Sequence, residues 1–209
     1  MPMSRITEDE TAQLVLASQS PRRRELLDQV GLTCRVLVPA VDEAPGPGEA
    51  PEALVERLAR DKARAGLARA GNALPVLAAD TAVVIDGEAL GKPADEAEAL
   101  AMLSHLSGRA HTVASGIAVA TAAGLDSRVV TTLVTFRPTT EAERRAYWAS
   151  GECAGKAGAY AVQGLGAAFV EHLSGSYSNV VGLPLFETLA LLRAHGVDPL
   201  ARGAQAARC

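Results

Sequence analysis

The segment Leu14-Val15-Leu16-Ala17-Ser18-Gln19-Ser20-Pro21-Arg22-Arg23-Arg24 gathers two serine hydroxyls, a proline and three arginines at one strand-to-helix junction. Proline suits the first helical position, and a helix N-terminus presents unpaired N–H groups carrying roughly half a positive charge. Ser18, Ser20, Arg22 and Arg23 add donors at the same point. The junction is therefore suited to an anion with several oxygens, phosphate above all. Taken alone, the same residues also read as a surface helix bearing solvated arginines.

Other charged residues break the apolar pattern further on. Over residues 51–70 the helical stripe Leu54, Val55, Leu58, Ala59 continues through Lys62 to Ala65 and Gly66, so a lysine falls on a buried face. Such a lysine needs an anionic partner or a snorkelling path to water. Asp80 lies between the apolar runs 76–79 and 82–85, which places it at a strand end facing a ligand crevice. Asp42 and Glu43 also follow a strand. Carboxylates converging on triphosphate oxygens would suit a hard divalent ion, although Asp42 and Glu43 by themselves read better as an ordinary acidic loop start. Lys92 sits in the constrained turn Gly91-Lys92-Pro93, brought back toward Asp80 by a hairpin at Asp86-Gly87. The glycine-rich stretch 155–164 permits close approach of backbone to a ligand. It lacks the spacing of a P-loop or a dinucleotide fingerprint. Gln163 within it either reads a base edge or ties down the loop. His105, His111, His172 and His195 have no ligand spacing and read as structural or surface residues.

Positioning these residues requires strands alternating with helices, an α/β architecture. Strands are predicted at 14–17, 33–38, 76–79, 82–85, 112–120, 128–136 and 167–173, with a turn at 175–179. Helices are predicted at 21–30, 51–70, 95–106, 140–149 and 183–195. Pro51 and Gly71 punctuate the second helix, and Thr140 with Glu143 forms a capping box for the fourth.

The chain has 209 residues, 48% of them hydrophobic, enough for one large domain or two lobes. A net charge of −4 and an aromatic content of 3% argue against nucleic-acid binding over a surface, so the anion site must be a local pocket. Cys34, Cys153 and Cys209 are scattered and form no CxxC pair, which points to a reducing cytoplasm rather than disulfides or a thiolate metal site. Neither a signal-like segment in residues 1–13 nor a run of about 18 apolar residues is present, so no membrane span is expected.

Together, Ser18-Gln19-Ser20-Pro21-Arg22-Arg23, Asp80-Thr81, Gly91-Lys92-Pro93, Leu106-Ser107-Gly108-Arg109, Gly155-Lys156-Ala157-Gly158-Ala159-Tyr160, Gln163-Gly164, Gly175-Ser176-Tyr177-Ser178-Asn179 and Val181-Gly182-Leu183-Pro184-Leu185 resemble the Maf family of nucleoside triphosphate pyrophosphatases. The resemblance covers residues 14–197. It implies one catalytic domain of two lobes around an extended mixed β-sheet with flanking helices, inosine-triphosphatase-like, with the active site in the central cleft. Residues 1–13 and 198–209 would be a mobile extension and tail.

The resemblance also implies a hydrolase that cleaves a nucleoside triphosphate to the monophosphate and pyrophosphate, with Mg²⁺ or Mn²⁺ held by Glu43 and Asp80. Asp80 matches the proton acceptor, and Glu43, Lys62 and Lys92 match cleft residues. Ser18, Ser20, Arg22, Arg23, Thr81 and Gln163 would bind substrate, Thr81 and Gln163 by hydrogen bonds to the pyrimidine edge. Arg22, Thr81 and Gln163 match the branch preferring dTTP and UTP, whereas a sister branch acting on 7-methyl-GTP has Gln in place of Thr81. A cytoplasmic homodimer with a house-cleaning role in nucleotide metabolism is implied as well. Two positions depart from the family pattern: Cys153 stands where Pro is usual, and Ala161-Val162 replaces Gly-Ile in the base-reading loop. The alternatives are a purine or 7-methyl-GTP pyrophosphatase, a nucleotide-binding regulator of cell division, and a structural protein.

Overall fold

The computed structural model describes residues 11–201. Most of the expected extension and tail therefore lies outside the described residues. Strand β1 (Leu14–Leu16) leads into helix α1 (Pro21–Gln29) and strand β2 (Cys34–Val36). After a loop come α2 (Pro51–Ala70), β3 (Val76–Ile85), β4 (Glu88–Leu90) and α3 (Glu96–Leu106). The long hairpin β5 (Ala110–Thr121) and β6 (Gly124–Phe136) precedes α4 (Glu141–Ala149). Two 3₁₀ turns (Ala157–Ala159 and Leu165–Phe169), β7 (Val170–Ser174), α5 (Tyr177–Val181) and α6 (Leu185–Ala194) complete the order. All seven strands join one mixed sheet, ordered β2-β1-β3-β5-β6-β7, with β4 beside β3 off that path.

Local signals set many element ends. Pro51 opens α2, and Gly71 closes it at φ 75° with its N–H on the carbonyl of Leu67. Asp86 and Gly87 both adopt positive φ, as the two-residue hairpin turn between β3 and β4 requires. Thr140 and Glu143 form the expected reciprocal cap of α4.

Several expectations are corrected. Asp80 and Thr81 do not end a strand but lie in the middle of β3, because β5 pairs with β3 continuously from Val76 to Val84 and carries it across the polar pair. The second strand is only Cys34–Val36, so Asp42 and Glu43 sit in the loop beyond it. The predicted turn at 175–179 is largely helix: Ser176 caps α5 by accepting from the Asn179 N–H. The strand predicted at 167–173 begins instead as a 3₁₀ turn and pairs only from Val170. Gln13, assigned to the extension, donates to the Thr33 carbonyl and accepts from the Thr33 N–H.

Alternation along the strands sends side chains to two different cores. One face carries Val15, Ala17, Val76, Ala78, Ala118 and Ala120 beneath Ala59 and Ala63 of α2. These are small residues, so α2 lies close to the sheet; a Cβ on Gly66 would come within 2.8 Å of Val76. The other face packs larger side chains, among them Leu16, Leu77, Ile117 and Phe136, against α1, α3 and α6.

His111 belongs to this larger core, 2% exposed and edge-on to Phe136 and Tyr160. One ring nitrogen meets the Tyr160 hydroxyl at 2.8 Å, while Nδ1 has no partner. Burial lowers its pKa from 6.5 to about 4. The unfolded chain then binds the extra proton first as pH falls. The neutral imidazole's contribution is complete above about pH 6.5 and disappears by about pH 4, a loss on the order of 3 kcal/mol. Urea unfolding of wild type and His111→Phe at pH 7 and 4.5 checks this. The variant should show a shallower loss of stability, and equal losses would refute the assignment.

Candidate active site

The cleft exists because one edge of β3 is left unpaired in its middle. β5 occupies the whole of the other edge. On the open edge β1 pairs only at Val76 and Leu77, and β4 only from Val83 to Ile85. Between them, Asp80 and Thr81 meet no strand, and the chain leaving β1 at Ala17 turns away along the gap into α1. Ser18, Gln19 and Ser20, the loop bearing Val38 and Glu43, the 154–163 segment and Gly182 wall a cavity of about 350 Å³. All ten predicted residues line it: Ser18, Ser20, Arg22, Arg23, Glu43, Lys62, Asp80, Thr81, Lys92 and Gln163.

Lys62 projects from α2 toward the middle of β3. Its Nζ donates to Asp80 Oδ1 at 2.6 Å and lies 2.7 Å from Glu43 Oε1. The lysine that fell on the apolar stripe thus has anionic partners, and its side chain is 12% exposed, so snorkelling is not the explanation. The hydrogen bond from Lys62 holds the Glu43 carboxyl below its usual pKa, against a smaller opposing effect of burial, and Lys92 adds attraction. Asp80 Oδ2 accepts no hydrogen bond from the described residues.

Thr81 points to the other face. Arg23 is half-buried there and donates to the Gly182 carbonyl at 2.8 Å, Ser18 Oγ at 3.0 Å and Thr81 Oγ1 at 3.2 Å. Burial lowers its pKa, with Asp80 the main opposing charge. Thr81 Oγ1 also meets Ser115 Oγ at 2.8 Å, so its hydroxyl is fully engaged. Ser18 Oγ accepts from both Arg23 and the Ser20 N–H, leaving its own proton to donate. Helix α1 has no side-chain cap and no acidic residue in its first turn, so its N-terminal donors stay available at the cleft.

Sequence reasoning gave no role to Lys156, Gly182 or Ser115. The motifs holding Lys156 and Gly182 were visible, but neither motif indicates which of its atoms reaches the cleft. In the cleft, Arg22, Arg23, Lys62, Lys92 and Lys156 oppose only Glu43 and Asp80. A chain of net charge −4 therefore presents a cationic pocket. Such a pocket can hold a polyanion beside a carboxylate with a free oxygen.

Residues 13–195 match the family described as Maf-like protein. The chain is 53% identical over 192 residues to the dTTP/UTP pyrophosphatase of Saccharophagus degradans, covering 90% of this chain and 91% of that one. It is 53% identical to the enzyme of the same name from Bordetella parapertussis, over 88% of this chain and 93% of that one. For the Bordetella avium protein, also so named, the identity is 52% over 90% of this chain and 98% of that one. Among solved structures, the Staphylococcus aureus Ham1 protein aligns with a TM-score of 0.40 at 17% identity, over 59% of this chain and 70% of that one. A dITP/XTP pyrophosphatase from Mycobacterium abscessus aligns at 0.37 and 22%, over 59% and 72%. These two likenesses are too weak to add to the family match. From the match over residues 13–195 and identities above half, the chain belongs to the Maf-like protein family.

Proposed function

We propose that this cleft hydrolyses dTTP and UTP to the nucleoside monophosphate and pyrophosphate. The observation that carries the reading is the contact of Asp80 with Lys62 at 2.6 Å inside a cavity where five cationic side chains face two carboxylates. The names of relatives at 52–53% identity support the substrate class.

In the proposed reaction water attacks the α-phosphorus in line, and the bond from Pα to the bridging oxygen breaks. Asp80, through its free Oδ2, takes the water proton, and pyrophosphate leaves. Lys62 holds the Asp80 carboxylate in place and, with Lys92, offsets charge on the triphosphate and the leaving group. Ser18, Ser20, Arg22 and the N-terminus of α1 hold phosphate oxygens. Arg23 acts by fixing Ser18 and Thr81. Gln163 hydrogen-bonds the pyrimidine edge, and Thr81, its hydroxyl already engaged, shapes the pocket wall through Arg23.

We infer that a divalent ion, Mg²⁺ or Mn²⁺, would be held by Glu43 and Asp80 only together with oxygens of the substrate. Glu43 and Asp80 are brought together at one ammonium, and no group of three or more His, Cys, Asp or Glu side chains able to hold a metal occurs among the described residues. The triphosphate would supply the remaining oxygens, and the bound ion would neutralise phosphate charge.

A panel of common and modified triphosphates, assayed for pyrophosphate release with Mg²⁺ or Mn²⁺, tests the reading. dTTP and UTP should lead, and Gln163→Ala should erase the preference over 7-methyl-GTP with a modest loss of rate. Release of orthophosphate instead, or no turnover of any triphosphate, would overturn the function. An unchanged preference in Gln163→Ala would remove the role of Gln163.

We also infer a cytoplasmic homodimer. Buried Cys153, in no disulfide, supports a reducing compartment, and exposed Phe186 and Tyr177 support a second copy as partner. A monomer mass in sedimentation would exclude the dimer. No helix among the described residues is long and apolar enough to cross a membrane.

A further inference from the structure

Arg22 and Lys156 have no ion-pair partner among the described residues, only the more distant charges of Glu25 and Glu152. Lys62 has two carboxylates and Arg23 has three acceptors, whereas Arg22 makes no hydrogen bond or ion pair with the described residues. Among the described residues Lys156 Nζ donates only to the Ala154 carbonyl, at 3.2 Å, which leaves two of its three N–H groups unmatched there. Both residues line the cleft and are near enough for their like charges to repel. Burial pulls both below their usual pKa values.

The position of Lys156 is built into the loop. Its N–H bonds to the Cys153 carbonyl at 3.1 Å, and its carbonyl accepts from Ala159 at 3.2 Å. Gly158, at φ 65°, donates to the Gly91 carbonyl at 3.0 Å and passes so close to Val83 that a Cβ would lie 2.9 Å from it. The loop is thus pressed onto β3 and tied to the turn that carries Lys92. Glu25 attracts Arg22 and Glu152 attracts Lys156, but neither carboxylate forms an ion pair with its cation, so the two half-buried cations converge unfavourably until a ligand brings negative oxygens between them.

We propose that Lys156 is a substrate-binding residue that joins Arg22 in holding anionic phosphate oxygens of the nucleotide. The inference rests on the nucleotide reading of the cleft and adds a residue to it. The oxygens belong either to the pyrophosphoryl end or to the phosphate retained on the nucleoside, and inorganic pyrophosphate and dTMP separate these two sources.

The test is calorimetric titration of the full-length protein with each ligand, for wild type, Lys156→Gln and Lys156→Arg. Loss of one charge-assisted contact should weaken binding of one of the two ligands by about 10- to 100-fold in Lys156→Gln. The ligand that weakens identifies the phosphate. Lys156→Arg should restore binding to within a few-fold of wild type, and thermal unfolding of Lys156→Gln should match wild type. Unchanged affinity for both ligands in Lys156→Gln, or failure of Lys156→Arg to restore it, overturns the proposal. Binding is read without turnover, so a wild type that binds through Lys156 yet releases no pyrophosphate would refute the proposed reaction and leave this site standing.

Discussion

Asp80→Asn is expected to lower kcat for dTTP by about 10²- to 10⁴-fold, the usual cost of losing a positioned general base. The replacement keeps the shape of the side chain and an oxygen that can still accept from Lys62. It removes the capacity of Oδ2 to take a proton. Lys62 keeps Glu43 as a partner, 2.7 Å away, so the cleft retains its form and nucleotide binding should remain measurable. Steady-state kinetics combined with a binding titration separates the two effects. A folded Asp80→Asn protein that turns over dTTP at a near-normal rate would eliminate Asp80 as the base.

Gly116→Ala should have the largest effect on stability. Gly116 lies opposite Asp80 in the β3–β5 pairing. A Cβ there would sit 2.2 Å from the Val55 carbonyl oxygen and 2.7 Å from the Glu56 nitrogen, both in the backbone of α2. Neither atom belongs to a flexible side-chain end, so the whole helix must retreat from the sheet. A cost of about 3 kcal/mol or more is expected, at the upper end for overpacking. The same helix carries Lys62, so retreat also pulls the ammonium away from Asp80, and kcat should fall with stability. Urea unfolding and kinetics on the one variant test both. Stability within about 1 kcal/mol of wild type would show that α2 is not held at this distance by Gly116.

These two residues show where the sequence was legible. Lys62 could be singled out because α2 is punctuated locally by Pro51 and Gly71, and a 3.6-residue period shows which positions face inward. Asp80 was recognised as anomalous but misplaced, because its position inside one long strand depends on β5, some thirty residues away in sequence. Glu43 lies in a loop with no period to read. Its approach to Lys62 follows from the path of the chain between β2 and α2, which leaves no local signature. Arg23 reads as a phosphate ligand among three arginines, and the structure adds that it bonds to Gly182, which is distant in sequence. Local chemistry did not distinguish it from Arg22.

The sequence by itself determined the strand-to-helix junction at 14–29, the identity of most elements and the family, since caps, turns and hydrophobic periods act over a few residues. Tertiary structure alone decided that β1 and β4 leave the middle of β3 open. It also decided that small residues let α2 approach until Lys62 meets Asp80, and that Arg23 is engaged by three protein acceptors while Arg22 has none among the described residues. The physical reason is range. Each of these outcomes depends on which distant strand supplies hydrogen bonds and how closely a helix can lie on a sheet, and neither is encoded within a single segment.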